Sequence, residues 1–307
     1  MQQINLKAAL TPNEAVNDLF DMGVACVKLP DDIIRASNEV LVEAYNFFSN
    51  PETIKEKFSS PNTLEGWREI GSELAPNTGR SDLSEAFTVW FRNARKPEVI
   101  DWAVRCPLHR SMTKLLNPCA TFIEDLLVAI RCRLDPIYQS SNQVPVPIRD
   151  FSYLQINFSR PAKHTRDTIM DAHEDGHLLT LLRPFGTGLM IARGELVEAP
   201  TPSNPVGVFH PVGEFHSVVL NDNEALVIPS SPTFYLTGGL IPPLFHGVAN
   251  HGQTVRQSMV FFVNPSPTQP LSAWYRTPLN EGISIHDVID YMSGQYGQPK
   301  ISQTFMF

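Results

Sequence analysis

The stretch Asp171-Ala-His-Glu-Asp-Gly-His-Leu-Leu-Thr-Leu-Leu182 places two histidines and two acids within five positions, directly ahead of an apolar run. Read as His173-x-Asp175 along a β-strand, the first and third side chains share a face, because side chains alternate with a period of two. Joined by a distant histidine, such a pair forms the 2-His-1-carboxylate facial triad, which holds Fe(II) and leaves positions open. Read as His173-Glu174-x-x-His177, the same letters match the zinc-peptidase pattern, in which a helix aligns two ligands and a general-base Glu. The residues that follow favour the strand. Gly176 inside a helix would cost about 1 kcal/mol relative to Ala, and Leu178 to Leu182 with Pro184, Gly186 and Gly188 reads as a short strand and turns. The zinc reading also finds a third ligand only by counting forward to Glu195 or Glu198. The iron reading requires a His on a later strand followed by an anion-binding group, and His246 with Arg256-Gln-Ser258 meets that requirement.

Outward from this stretch, everything after Pro147 has the texture of strands. Phe151 to Phe158, Gly188 to Ala192, Ser217 to Leu220, Ala225 to Ile228 and Val255 to Val263 are short apolar or alternating runs divided by Gly, Pro, Asn and Ser. That is the pattern of a β-sandwich or jelly roll. A jelly roll with the ligands at one open end encloses a pocket between two sheets, with helices packed outside. The proline-rich segment Glu198 to Phe215 reads as a long loop. Its His210 and His216 have no carboxylate at ligand spacing and read as solvated side chains, while Asp222 and Glu224 belong to a turn.

Before residue 150 the signals are mostly helical. Thr11-Pro-Asn-Glu14 resembles a capping box with Pro at the first helical position, and the helix it opens stops near Gly23. Val24 to Leu29 is a short strand, and Asp31-Asp32 opens a long amphipathic helix with Ile34, Val40, Leu41, Tyr45 and Phe48 at helical spacing. Ile54 to Lys57 reads as a short helix, Ser59 to Gly66 as exposed loop and Thr88 to Phe91 as a strand. Pro107 to Leu134 is helical, with Leu115, Phe122, Leu126, Leu127 and Ile130 as core and Pro118 as a kink. Amphipathic stripes of this kind mainly bury cores, so these helices are scaffold.

Composition narrows the function classes. A formal charge of −8 over 307 residues, with no basic block, argues against a nucleic-acid partner. No uncharged apolar run of about 20 residues or N-terminal signal pattern is present, so no membrane partner is expected and cytoplasm is the default. Cys26, Cys106, Cys119 and Cys132 lack C-x-x-C spacing and read as buried thiols. Arg256 and Ser258 share a strand face with Val260 and Phe262. The arginine fork matches a carboxylate in bidentate fashion and the serine adds a donor, which suits one end of a dicarboxylate such as 2-oxoglutarate. Alone, R-x-S is an ordinary surface pair; ten residues beyond a ligand His it is not.

Taken together, these pieces resemble the isopenicillin N synthase-like family of Fe(II)/2-oxoglutarate-dependent dioxygenases, and the similarity runs through nearly the whole chain. Phe20-Asp-Met-Gly-Val-Ala-Cys-Val-Lys-Leu-Pro30, with Phe47-Phe48 and Pro51 beyond it, is similar to the family's N-terminal block. Asp82-Leu-Ser-Glu-Ala-Phe87 resembles its D-x-x-E-x-F segment, and Asn157-Phe-Ser-Arg-Pro161 stands where the family has N-Y-Y-x-P. His173-Glu-Asp175, Leu179-Thr-Leu-Leu182, Gly188-Leu-Met-Ile191, His246-Gly-Val248, Asn250 and Arg256-Gln-Ser258 follow in the family's order. The resemblance implies a mainly β fold with flanking helices and a double-stranded β-helix (jelly-roll) core. It implies that His173, Asp175 and His246 ligate Fe(II), that Arg256 and Ser258 hold the far carboxylate of 2-oxoglutarate, and that Asn157 contacts this cosubstrate. O2 is the second cosubstrate. Ser159 replaces the second Tyr of N-Y-Y, Gly247 replaces the Arg usually found after the distal His, and the Ala199 to Gly213 loop lengthens the interval between the histidines. Asp175 argues against halide transfer, which needs that ligand position free.

The expected activity is oxidation of a small-molecule C–H bond, by hydroxylation or desaturation, in specialised metabolism. Arg80, Arg68, Tyr153 and Phe262 are candidates for the substrate pocket, with packing or solvent exposure as their plain alternative. His177 reads as a packing or supporting histidine, and Glu174 should face the other side. The chain divides into a mostly helical region over 1–150, a jelly-roll core over 151–283 and a C-terminal helix and tail over 284–307 that can close the pocket mouth, all within one structural domain. Three other functions fit parts of the sequence: an isopenicillin N synthase-like oxidase that does not use 2-oxoglutarate, a zinc hydrolase built on His173-Glu174-x-x-His177, and a non-catalytic jelly-roll binding protein.

Overall fold

The computed structural model describes residues 2–60, 64–75, 78–93, 96–135, 145–160, 166–252, 255–296 and 300. The chain opens with β1 (Gln3–Ile4), α1 (Pro12–Met22), β2 (Ala25–Lys28), α2 (Asp31–Phe48) and α3 (Glu52–Lys55). Three strands follow, β3 (Ser59–Ser60), β4 (Glu65–Arg68) and β5 (Glu85–Trp90), then α4 (Pro97–Arg105) and α5 (Pro107–Leu134). The β-rich part comprises β6 (Tyr153–Ser159), β7 (Thr168–His173), β8 (Leu179–Phe185), β9 (Leu189–Glu198), β10 (Val208–Pro211), β11 (His216–Val218) and β12 (Glu224–Pro229). Then come α6 (Ser231–Leu236), β13 (Leu244–Ala249), β14 (Arg256–Val263) and α7 (Ile285–Gln295).

Two sheets face each other. The larger runs β2-β12-β8-β14-β6-β5-β4-β3, and the smaller runs β1-β11-β9-β13-β7, with β10 paired to β9. Taking β12-β8-β14-β6 from one and β11-β9-β13-β7 from the other gives the double-stranded β-helix expected from the sequence, every pair antiparallel. The N-terminal region is less purely helical than its sequence suggests, because β2 and β5 add directly to the edges of this core, on β12 and β6.

Strand alternation divides the labour. On β6, Leu154, Ile156 and Phe158 point outward into the core under the helices, while Tyr153, Gln155 and Asn157 line a cavity between the sheets. On β14, Met259, Phe261 and Val263 belong to the same outer core, and Arg256, Ser258, Val260 and Phe262 face the cavity. Both faces are covered, so β6 is buried along its whole length. A smaller apolar cluster, including Cys26, Leu182, Ile191, Leu226, Ile228 and Leu244, fills the space between the sheets at one end and leaves the other end to the cavity.

α1 is capped as its sequence predicts: Thr11 accepts from the Glu14 amide at 3.3 Å and Gly23 ends the helix at φ +75. α5 continues through Pro118, and α2 rests against it. The buried face of α2 is Ile33, Ser37, Val40, Ala44, Phe47 and Phe48. Tyr45, expected in that core, is 53% exposed, because the packed stripe lies on the Ala44 side. Phe122 is only partly buried. The expected Ser59 to Gly66 loop holds β3 and the buried start of β4, drawn into the sheet by pairing with β5. The expected loop between Glu198 and Phe215 contains β10, which places His210 in an exposed edge strand. The sequence reading did not anticipate α4 and α6. Pro161 and the tail over 301–307 lie outside the described residues.

Phe48 is fully buried and stacks on Phe158 with ring centroids 4.8 Å apart. Phe48→Ala should lower stability by about 3–5 kcal/mol, the cost of an aromatic-sized cavity that neighbouring rings cannot collapse into, as measured by urea unfolding of the purified chain.

Candidate metal centre and cavity

β7 and β13 pair so that His173 lies directly across from His246. Their rings are neighbours, with centroids 4.6 Å apart. The strand ends at His173; Asp175 is not two residues further along it, as the strand reading requires, but in the turn that follows. Gly176, at φ +71, reverses the chain there, and the Leu178 amide joins the Val263 carbonyl at 3.0 Å to start β8. That turn swings the carboxylate back over the pair of rings. Asp175 Oδ1 lies 3.5 Å from His173 Nε2 and 3.5 Å from His246 Nε2. All three residues are buried.

The chemistry of this donor set fits a divalent metal ion. Two ligand atoms on one ion are separated by at most about 4.4 Å when each bond is about 2.0–2.2 Å, and 3.5 Å lies within that span. His173 Nδ1 donates to the Asp171 carbonyl at 2.7 Å, which leaves Nε2 as the inward lone pair, the usual way a ligating imidazole is oriented. Burial works against ionisation of Asp175, yet the two imidazoles hold its carboxyl far below the ordinary range, so it is an anion. Burial lowers His246 to about 4 against the opposing charge of Asp175, so its ring is neutral and free to ligate. Two nitrogens and one carboxylate oxygen, meeting at one face, suit Fe(II) among the first-row ions.

Along the same cavity, Arg256 and Ser258 project from β14, and Asn157 stands across from Ser258 on β6. Arg256 is buried and its Nε donates to the Thr187 carbonyl at 3.2 Å. Among the described residues no carboxylate forms an ion pair with it. Burial lowers the guanidinium to about 10, which leaves it charged at neutral pH. Asn157 Oδ1 accepts from Gln155 at 2.8 Å. The cavity lies between the two sheets and opens to solvent at its mouth. Leu182, Leu189, Val248 and Val260 form its apolar walls, and Ser293 and Tyr296, at and just beyond the end of α7, lie at its edge.

The remaining sequence candidates separate into two groups. Tyr153 and Phe262 line the cavity as neighbouring rings, with centroids 4.8 Å apart. Arg80 does not: its guanidinium is spent on Asp171, with Nε and Nη2 at 2.6 and 2.7 Å from the two carboxylate oxygens, and its side chain is half exposed. Arg68 is likewise engaged, with Glu73, Thr88 and Gln155. His177 donates through Nδ1 to Asn264 at 2.8 Å and accepts at Nε2 from the Tyr153 hydroxyl at 3.1 Å, so both nitrogens are occupied. Residues 174–178 form no helix, and Glu174 turns away to accept from the Ser231 amide at 2.7 Å. The helical zinc-peptidase arrangement is therefore not formed; the left-handed backbone at Gly176 excludes it.

Asp82, Glu73 and Tyr296 also line the cavity, although the sequence alone assigns them no role there. Asp82 and Glu73 reach the cavity from the segment between β4 and β5, and Tyr296 from the end of α7. Asp82 carried a signal in its D-x-x-E-x-F context, whereas Glu73 and Tyr296 had none, since nothing periodic surrounds them. Burial pushes the Asp82 carboxyl up to about 7, opposed by His173 and reinforced by Glu73.

No protein-family model matches the chain, and no curated protein sequence matches it. Solved structures do. A Caulobacter crescentus protein assigned to the 2OG-Fe(II) oxygenase family superposes with a TM-score of 0.69 at 17% identity, over 91% of this chain and 92% of that one. A full-length Neurospora crassa protein in complex with alpha-KG gives 0.66 at 14% identity over 92% and 90%. The rice dioxygenase for auxin oxidation gives 0.64 at 14% identity over 95% and 92%. At these identities the likeness establishes a common jelly-roll fold over more than nine-tenths of the chain.

Gly176 carries the turn that brings Asp175 to the histidines. A Cβ there would meet Met292 Cβ at 2.5 Å, and the positive φ would cost a non-glycine residue about 1–2 kcal/mol. Gly176→Ala should therefore lower the melting temperature and weaken Fe(II) binding together, by thermal denaturation and anaerobic metal titration, whereas Gly213→Ala, at a similar φ with nothing near its Cβ, should cost stability alone.

Proposed function

We propose that this chain is a mononuclear Fe(II)- and 2-oxoglutarate-dependent oxygenase of the isopenicillin N synthase-like kind, oxidising a C–H bond of a small molecule in specialised metabolism. The single observation that carries the reading is one cavity holding both a convergent His-Asp-His face and a buried, unpaired guanidinium on the adjoining wall. An isolated buried cation is costly, and the carboxylate of a dicarboxylic cosubstrate offsets that cost.

His173, Asp175 and His246 hold the iron. Bound there, Fe(II) supplies the site at which O2 and the keto-acid end of 2-oxoglutarate react, so that decarboxylation to succinate is coupled to oxidation of the substrate. The protein's own groups do the rest. The Asp171 carbonyl fixes the His173 ring through its Nδ1 proton. Arg256 and Ser258 take the far carboxylate, and Asn157 stands beside Ser258 as a further cosubstrate contact. Leu182, Leu189, Val248 and Val260 keep water from the path between anchor and metal face. Tyr153 and Phe262 offer aromatic surface to the substrate.

The regions 1–150, 151–283 and 284–307 act as one structural domain in this reading, supported by the pairing of β2 and β5 with core strands. Among the described residues no helix is long and apolar enough to cross a membrane, and the cysteines are free thiols, in keeping with a cytoplasmic enzyme.

Asp175→Ala and His246→Ala should each abolish stoichiometric Fe(II) binding by metal analysis of anaerobically purified protein. Arg256→Ala should weaken 2-oxoglutarate binding about ten- to a hundredfold, as expected for loss of charge-assisted hydrogen bonds of about 1.5–3 kcal/mol, by anaerobic calorimetry. Succinate should form in step with substrate consumed. Substrate oxidation without 2-oxoglutarate would instead identify an oxidase that uses Arg256 and Ser258 for the substrate's own carboxylate. No turnover of 2-oxoglutarate with O2 under any condition would leave a binding protein.

A further inference from the structure

The cavity is electrically two-sided. One wall carries Arg256, a buried cation without an acidic partner. Another carries Asp82, a buried carboxyl that forms no ion pair among the described residues. Asp82 is 6% exposed, lines the cavity, and its Oδ1 is buried with no hydrogen-bond partner.

Among the described residues, the basic groups on neighbouring segments hydrogen-bond to other partners, although His173 and Arg166 still act on Asp82 through their charge. Arg80 closes on Asp171. Arg166 donates to the carbonyls of Thr168 and Ile169, each at 3.1 Å. His173 faces Asp175 and the Asp171 carbonyl. Arg68 holds Glu73, whose own carboxylate also accepts from Gln155 at 3.2 and 3.3 Å. Asp82 is also held in place. Its amide donates to the Glu73 carbonyl at 3.0 Å and the next amide, of Leu83, donates to Ile169 at 2.9 Å, so the segment is tied both to itself and to β7. A surface acid in want of a partner can turn to water; this one is buried, on a tied segment, and lines the cavity. Around it the cavity offers further acceptors and ring faces: Glu73, the buried and unpartnered Tyr296 hydroxyl, and the rings of Tyr153 and Phe262.

We infer that the substrate carries a cationic nitrogen, a protonated amine, which Asp82 binds and orients opposite the cosubstrate's anchor. A neutral donor such as a hydroxyl would satisfy the hydrogen bond alone, whereas an ammonium also meets the charge that Asp82 carries once ionised, which its raised range places at mildly alkaline pH. The aromatic faces add attraction for the same cation. A carboxylate-bearing substrate is disfavoured at this wall, where it would meet Asp82 and Glu73 together. The inference rests on the reading of Arg256 as the cosubstrate's anchor, which leaves the Asp82 side to the substrate.

The test uses the full chain, loaded anaerobically with Fe(II) and 2-oxoglutarate so that nothing turns over, and three probes of one shape: benzylamine, benzyl alcohol and benzoate. Calorimetry near pH 8 should give benzylamine an affinity at least about tenfold above benzyl alcohol, with benzoate binding weakest. In Asp82→Asn, which preserves shape, the preference should fall to about twofold or less while 2-oxoglutarate affinity stays unchanged and the melting temperature does not fall. Benzyl alcohol or benzoate binding as tightly as benzylamine, or a preference for benzylamine that survives Asp82→Asn, overturns the inference. Wild-type protein that fails to bind 2-oxoglutarate overturns the cosubstrate reading instead, and the probe preference can still be read on protein carrying Fe(II) alone.

Discussion

The pairing of His173 with His246 across two antiparallel strands is the constraint on which the rest of the structure depends. Residues 73 positions apart in sequence become neighbours only because β7 and β13 share an edge of the small sheet. Once that register is set, a single tight turn supplies the third side chain. The chain leaves β7 at its last residue, reverses at Gly176 and returns as β8 in the opposite sheet, and Asp175 is caught between the strands. The metal face is therefore not a decoration on a loop. It is the point at which the chain crosses from one sheet to the other, and loosening the crossing would separate the ligands.

Two buried acids of the scaffold show one way in which this fold meets buried charge. In the scaffold, Glu65 lies 3.0 Å from His109 and also accepts from Asn93 and the Trp90 amide, and Glu85 meets Lys55 and accepts from Trp67 at 2.8 Å. These groups are paired on all sides, as burial demands. Arg256 and Asp82, both in the cavity wall, form no ion pair among the described residues. In the function and substrate class proposed above, an anion enters at the Arg256 side and a cation at the Asp82 side. The same logic disposes of His177, which shares the cavity but has both ring nitrogens bonded.

The segment between β4 and β5 and the end of α7 close this arrangement from outside. Arg80 serves there as a clasp rather than a substrate contact: its bidentate hold on Asp171, shared with Thr78 and Thr168, fastens the segment to β7. Asp171 thus works through both of its ends, the carboxylate holding the segment and the carbonyl orienting the His173 ring.

Much of this was legible in the sequence. Strand periodicity and glycine and proline punctuation gave the jelly roll, and the H-x-D, distal His and R-x-S pieces named the residues that the structure brings to one cavity, because ligand chemistry tolerates few residue types. The sequence could not say that Asp175 sits in a turn, that Arg80 faces away, or that Tyr45 stays outside the core. Those outcomes depend on which partner each side chain meets, and an arginine reads the same whether it meets a buried carboxylate or an open pocket. Glu73, Asp82 and Tyr296 come from separate elements with no common period, so only the closing of two sheets and a terminal helix around one space brings them together.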